Sequence, residues 1–243
     1  MKSSIPAAVR SELLPTGKLR VGVNLGNFLL VNKDPASGEL RGVVPDLAQE
    51  LGRRLGTSIE LVCFPGAGQV ADGAKAGAWD VGFIGAEPQR AEEIAFSPAY
   101  LEIPATYLVP PGSPIQSIDQ VDRPGIRIAV SARSAYDLYL SRSLKHARLI
   151  RAEGIPASYD LFVEHELEVL SGLLPRLTSD AMRLPGARIL EGRFTAIQQA
   201  IGTPKARIAG AAWLRDFVAD IKRSGAVARA IERHGVKGVS VAP

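Results

Sequence analysis

The stretch Val81-Gly82-Phe83-Ile84-Gly85-Ala86-Glu87-Pro88-Gln89-Arg90, closed by Ala95-Phe96-Ser97-Pro98-Ala99-Tyr100, decides how the rest of the chain is read. Val81 to Gly85 is a short apolar run, the pattern of a strand buried on both faces. Small residues at its end leave backbone N–H groups open, and a tight turn follows. Arg90 stands just beyond that turn, and its planar fork suits a carboxylate. The segment points to the capture of a small acid.

Working outward, strands and helices alternate. Leu19 to Val23 reads as a first strand. Pro45-Asp46 opens a helix, with proline near the first helical position and Asp46 in a turn that favours negative charge. Leu47, Leu51 and Leu55 recur along one face of it, and Gly56 supplies a stop. Ile59 to Phe64 is the second strand, Gln69 to Ala78 a small-residue helix, and Asp80 to Gly85 the third strand. This order predicts a parallel α/β sheet. Residues 1–17 read as an arm or short helix.

The tract Pro104, Pro110-Pro111-Gly112, Pro114 marks a crossing between lobes. The alternation restarts with a strand at Ile126 to Val130. Ser134 stands where a helix N-cap belongs, before Ala135, Leu138 and Tyr139. Ser158 to Leu170 predicts another helix, and Pro185-Gly186 a turn before a weak strand at Arg188-Ile189-Leu190. Trp213, Phe217 and Ile221 share one helical face ended by Gly225. Val227 and Ile231 mark a last helix before Gly235. No long-period repeat is evident.

Composition narrows the function classes. Of 243 residues, 46% are hydrophobic and 22% charged, as in a folded globular chain. Lys and Arg total 29 against 25 Asp and Glu, a net +4 with no basic block, so nucleic acid is not an expected partner. No apolar run spans a bilayer, so no stable membrane insertion is expected. Met1 to Arg10 lacks an apolar signal core, so the chain as written belongs in the cytoplasm; removal of a leader would place it in the periplasm. The single cysteine, Cys63, reads as a packed core thiol.

Gly66-Ala67-Gly68-Gln69-Val70-Ala71 fits a dinucleotide fingerprint between a strand and a helix. The pattern is short, Pro65 intrudes at the turn, and Glu87 is the nearest acid that could follow. His146, His165 and His234 have no metal-ligand spacing. Glu164-His165-Glu166 reads as a solvated helix face. No nucleophile elbow or Cys–His pairing is present. No cofactor and no metal are expected.

In order along the chain, the matching segments resemble the family 3 solute-binding proteins, the polar amino-acid binders of bacterial ABC importers. They are Leu19-Arg20-Val21-Gly22-Val23, Gly42-Val43-Val44-Pro45-Asp46-Leu47, Leu51-Gly52-Arg53-Arg54-Leu55-Gly56, Gly77-Ala78-Trp79-Asp80, Arg90, Phe96-Ser97-Pro98-Ala99-Tyr100, Arg127-Ile128-Ala129-Val130 and Leu170-Ser171-Gly172. The resemblance covers roughly residues 18 to 235. It implies an α/β, two-lobed, type II periplasmic-binding-protein-like fold, with two mixed sheets flanked by helices and a ligand cleft between lobes. Residues 1–103 with 197–243 would form lobe 1, and 104–196 lobe 2, with hinges near 101–111 and 191–199.

The resemblance also implies site residues. Phe83, Gly85 and Arg90 would hold a ligand carboxylate, joined by Ser131, Arg133 and Ser134 at the start of the first helix of lobe 2. Asp180 is the match to an aspartate at a strand end that takes an ammonium group. Asn27, Phe28 and Ala67 would line the pocket. Several positions depart from the family's pattern. Gly85 stands for a usual serine, Glu87 for a threonine, Arg133-Ser134 for Gly-Thr, and Phe28-Leu29 for Pro-Phe. Gly172 leads to Leu173-Leu174-Pro175-Arg176 where an aspartate is usual. Arg133 would suit a ligand with two acidic groups.

The implied function is clamp-like capture of a small carboxylate or amino acid, linked to an ABC permease as partner and without catalysis. Two alternatives stand beside it. One is a cyclohexadienyl-dehydratase-like enzyme on the same fold, with Glu87 as general acid. The other is a cytoplasmic orphan binder or sensor.

Overall fold

Leucine spacing and apolar runs become a first α/β unit in the computed structural model, which describes residues 5–243. The chain divides into two compact units, one running to Glu102 and resuming at Gln198–Pro243, the other Ile103–Ile197. The first opens with α1 (Ala7–Leu13) and β1 (Leu19–Asn24). A small hairpin, β2 (Asn32–Lys33) and β3 (Leu40–Arg41), leads to α2 (Val43–Leu55). Then come β4 (Ile59–Phe64), α3 (Ala67–Lys75), β5 (Val81–Gly85) and β6 (Ile94–Phe96). β7 (Leu101–Val109) carries the chain into the second unit.

α2 buries Leu47, Leu51 and Leu55 and stops at Gly56, whose φ of 66° is left-handed. It starts earlier than Pro45 predicts, at Gly42 with φ 135°. A Cβ at Gly42 would collide with the Leu30 carbonyl, so only glycine admits this approach.

The second unit holds β8 (Arg127–Ser131), α4 (Ala135–Ser143), β9 (Arg148–Ala152), α5 (Ile155–Glu164), β10 (Val169–Leu173), α6 (Leu174–Arg183) and β11 (Arg188–Ile189). β12 (Thr195–Pro204) returns the chain to the first unit, which closes with α7 (Ile208–Arg223), α8 (Ala226–Arg233) and β13 (Ser240–Val241).

The two units repeat one topology. In the first, β1 lies between β4 and β5, parallel to both, and β12 adds antiparallel to β5. In the second, β8 lies between β9 and β10, parallel to both, and β7 adds antiparallel to β10. One lock also recurs. The Arg20 backbone N–H and guanidinium both donate to Asp80, just before β5, at 2.9–3.0 Å. The Arg127 backbone N–H and guanidinium donate to Glu168, just before β10, at 2.8–3.0 Å. The sequence shows no repeat because only these polar positions recur, embedded in unlike apolar residues.

Period-two alternation splits the core of the second unit. Tyr107, Val109, Ile128 and Val169 pack on one face with Leu140 of α4. Leu108, Ala129 and Leu170 pack on the other with Tyr159 and Phe162 of α5.

Several expectations are corrected. The helix expected over Ser158 to Leu170 ends at Glu164, because Glu166 adopts φ 47° and redirects the chain into β10. The proline tract begins where the chain passes from one unit to the other, but as a strand: Pro104 lies inside β7, where Leu101 and Ile103 and then every residue from Ala105 to Val109 are buried and outweigh one proline. Cys63 is exposed rather than a core thiol, since β4 is an edge strand.

Candidate functional site

In the first unit the chemistry gathers at the C-terminal end of β5. Gly85 pairs with Gln199 of β12, and the Ala86 N–H donates to the Gln198 carbonyl at 2.7 Å. The chain then turns through Glu87 into a single 3-10 turn, Arg90–Glu92. Arg90 is buried, and its Nη1 donates to the Gly85 carbonyl at 2.7 Å. That bond fixes the guanidinium against the strand end it follows. Glu87 is buried as well, and its carbonyl accepts the Ala91 N–H at 3.0 Å.

Phe83 stands two residues before Gly85 and meets Tyr100 edge to face, ring centroids 5.8 Å apart. The Tyr100 phenol is fully buried, and burial drives its pKa far above the ordinary range, so it stays neutral.

The loop after β1 is set by Asn24, whose Oδ1 accepts the Gly26 N–H at 2.9 Å. Asn27 follows, only 7% exposed, and its buried Oδ1 has no hydrogen-bond partner. Phe28 is 36% exposed. Ala67 is the first residue of α3, half-buried, after Gly66.

In the second unit the end of β8 turns directly into α4. Ser134 is the N-cap, its Oγ accepting the Asp137 N–H at 3.0 Å. Asp137 reaches back to accept the Arg133 N–H at 2.8 Å, a reciprocal arrangement close to a capping box. Arg151 pairs with the Asp137 carboxylate at 3.0 Å. Arg133 itself has φ 58°, in the left-handed region.

Tyr136 is buried with its hydroxyl bonded to those of Ser131 and Ser134. Burial is the main cause of its pKa being pushed up to about 12, against the pull of the two serine hydroxyls. The charge of Arg176 on α6 also reaches Tyr136.

Asp180 is not at a strand end. β10 ends at Leu173, and Asp180 lies inside α6, where Arg176 Nε binds its carboxylate at 2.8 Å. Four-residue spacing on a helix brings Arg176 and Asp180 together, a register that the strand-end placement of Asp180 overlooks.

The profile of the bacterial extracellular solute-binding proteins, family 3, matches residues 19–237. The chain belongs to that family. Solved structures agree on the fold. The solute receptor for L-cysteine of Neisseria gonorrhoeae superposes with a TM-score of 0.79 at 20% identity, covering 96% of each chain. A putative ABC-transporter binding component from Wolinella succinogenes, complexed with lysine, gives 0.74 at 22% identity over 90% of this chain and 95% of its own. An ancestral amino-acid-binding protein, a precursor of cyclohexadienyl dehydratase, gives 0.75 at 20% identity over 92% and 97%. No curated protein sequence matches the chain. The fold is therefore that of the two-lobed type II periplasmic binding proteins.

Within this family 3 protein, Phe83, Gly85, Glu87 and Arg90 form one contiguous group in the first unit. Ser131, Arg133 and Ser134 form another in the second, joined to Asp180 through Tyr136 and Arg176. Asn27 and Phe28 sit on the loop after β1, and Ala67 opens α3 after β4. Sequence reading missed Tyr136, Asp137 and Arg176. A serine followed three residues later by an acid was the available signal for Asp137. Tyr136 carried none, because an aromatic in a first helical turn reads equally well as core. Among the described residues no group of three or more His, Cys, Asp or Glu could hold a metal ion, and no helix is long and apolar enough to cross a membrane.

Proposed function

We propose that this family 3 protein captures a small carboxylate ligand, an amino acid or related organic acid, and serves ABC-type transport. The observation that carries the reading is Arg90. A guanidinium presents five N–H donors in a fixed fork. Here one donor is tied to the Gly85 carbonyl and the whole group is 5% exposed, so its orientation is set before ligand arrives. The α4 start supplies the complementary donors, Ser131, Ser134 and Tyr136. On this reading Arg90 holds the ligand carboxylate, and the ligand favours the closed clamp. The named neighbours bind cysteine and lysine, which supports amino acids as the first class to try.

Calorimetry with a panel of amino and organic acids tests it. Arg90→Ala should abolish binding of any acid the native protein takes up, and Arg90→Lys should weaken it by keeping charge without the fork. Unchanged affinity in Arg90→Ala would sink the assignment.

One observation favours a second reading, a dehydratase-like lyase: the buried carboxyl of Glu87 beside the carboxylate anchor. Incubation with prephenate or arogenate separates the two, since the binder yields no product over hours.

A further inference from the structure

We infer that the cavity between α2 and α8 is a second binding site, and that it takes a phosphate monoester group. The cavity lies within the first unit and shares no residue with the group around Arg90. Its volume is about 690 Å³, and small-molecule sites usually measure about 300–1,000 Å³.

Six charged side chains line it, Arg53, Arg54, Arg229 and Arg233 against Asp46 and Glu50. Asp46, Glu50 and Arg54 recur every fourth residue on α2, and Arg229 and Arg233 do the same on α8. That spacing brings each set to one helix face.

Both acids are already engaged. Asp46 accepts from Arg233 at 2.7 Å and lies 3.0 Å from His234 Nε2. Glu50 accepts from Arg53 and Arg54, each at 2.7 Å. Arg54 also reaches Asp220, which does not line the cavity and is itself shared with Arg223. The four arginines therefore leave two positive charges unmatched in the lining.

Arg229 differs from the other three. It meets no carboxylate among the described residues, and its Nη1 donates to the Ser224 carbonyl at 2.8 Å. That bond orients the guanidinium over the turn that begins α8 and uses one N–H, leaving about four of its donors for a ligand. A phosphate monoester carries about −1.5 to −2 charge at neutral pH and three strong acceptor oxygens. It matches both the charge and the forked donors. A single carboxylate, with one charge and two oxygens, leaves half of the excess in place. Two sources carry the phosphate group, a soluble phosphate ester and the head group of phosphatidic acid.

Calorimetry on the whole protein with glycerol 3-phosphate tests the first source. Co-sedimentation with phosphatidylcholine vesicles, with and without phosphatidic acid, tests the second. Saturable binding to at least one is expected, and the one that binds names the source. Arg229→Gln should weaken that binding tenfold or more with an unchanged melting temperature, because no ion pair is lost. Arg90→Ala should bind the same probe as the native protein does. Equal affinity in Arg229→Gln would overturn the site. Binding lost in Arg90→Ala and kept in Arg229→Gln would put the phosphate on the carboxylate anchor and overturn it as well. No saturable binding by either probe would also overturn it, and would leave carboxylate capture at Arg90 untouched.

Discussion

Asp80 is fully buried and carries two arginines on one carboxylate. Arg20 reaches it by two guanidinium bonds and one backbone N–H, and Arg207 donates to Oδ1 at 2.9 Å. The Asp80 backbone carbonyl accepts the Thr203 hydroxyl at 2.9 Å. One residue thus ties β1, the start of β5, the end of β12 and the approach to α7. Removing one partner of a buried ion pair leaves the other charges uncompensated, which typically costs about 3–5 kcal/mol. Both arginines are about four-fifths buried here, so Asp80→Asn should cost near the lower end, about 3 kcal/mol, read by urea denaturation. A loss under about 1 kcal/mol would show that the lock is worth no more than a surface pair. Arg90 lies at the opposite end of β5, so Asp80→Asn in a still-folded protein should leave ligand affinity unchanged.

At the scale of elements, α3 and the strands around it are built on one indole. Trp79 donates to the Val70 carbonyl at 2.8 Å and is fully buried. A Cβ at Gly73 would stand 2.6 Å from its Nε1, and one at Gly22 2.7 Å from its Cδ1. In an exposed helix interior, Gly→Ala gains roughly 1 kcal/mol. At Gly73 the sign should reverse, because the indole is fixed by its hydrogen bond and cannot yield. A lowered melting temperature for Gly73→Ala is expected, and a raised one would show that Trp79 repacks. β1, α2, β4, α3 and β5 of this first unit were legible because leucine spacing, apolar runs and punctuating glycines agree. β9, β10 and β12 were not. β9 is a five-residue run, Arg148 to Ala152, with no period-two alternation, β12 carries Gln198 and Gln199 in mid-strand, and β10 continues the apolar spacing of α5 across a turn made by a non-glycine residue, Glu166. The candidate site followed the same rule. Arg90 was readable from its distance to a strand end. Arg176 and Tyr136 act through partners that only folding supplies, and Asp180 was placed at a strand end because the helix register around it carries no distinctive residue.

For the whole molecule, the repeated topology distributes acid-sensitive contacts over both units. Glu168 in the second unit is held below its ordinary pKa chiefly by hydrogen bonding to Arg127. Glu50 in the first is held down to about 2, chiefly by Arg53 with help from Arg54. A carboxyl whose folded pKa is depressed binds fewer protons in the folded state than in the unfolded one. Its contribution is complete above the unfolded value and is lost as pH falls through the folded value. For Glu50 that window runs from the ordinary value near 4.5 down to about 2. The unfolding free energy should therefore be nearly flat from neutral pH to about 5, then fall as the medium becomes more acidic. Because each unit carries such a group, neither should survive acid much better than the other, and the transition at pH 3 should remain single. Glu50→Gln removes one titrating group, so its stability should decline less steeply than the native protein's between pH 5 and pH 3. Denaturant titrations at those two pH values measure the slopes. Parallel slopes would mean that the Glu50 contacts with Arg53 and Arg54 contribute nothing in solution, as many partly exposed pairs do.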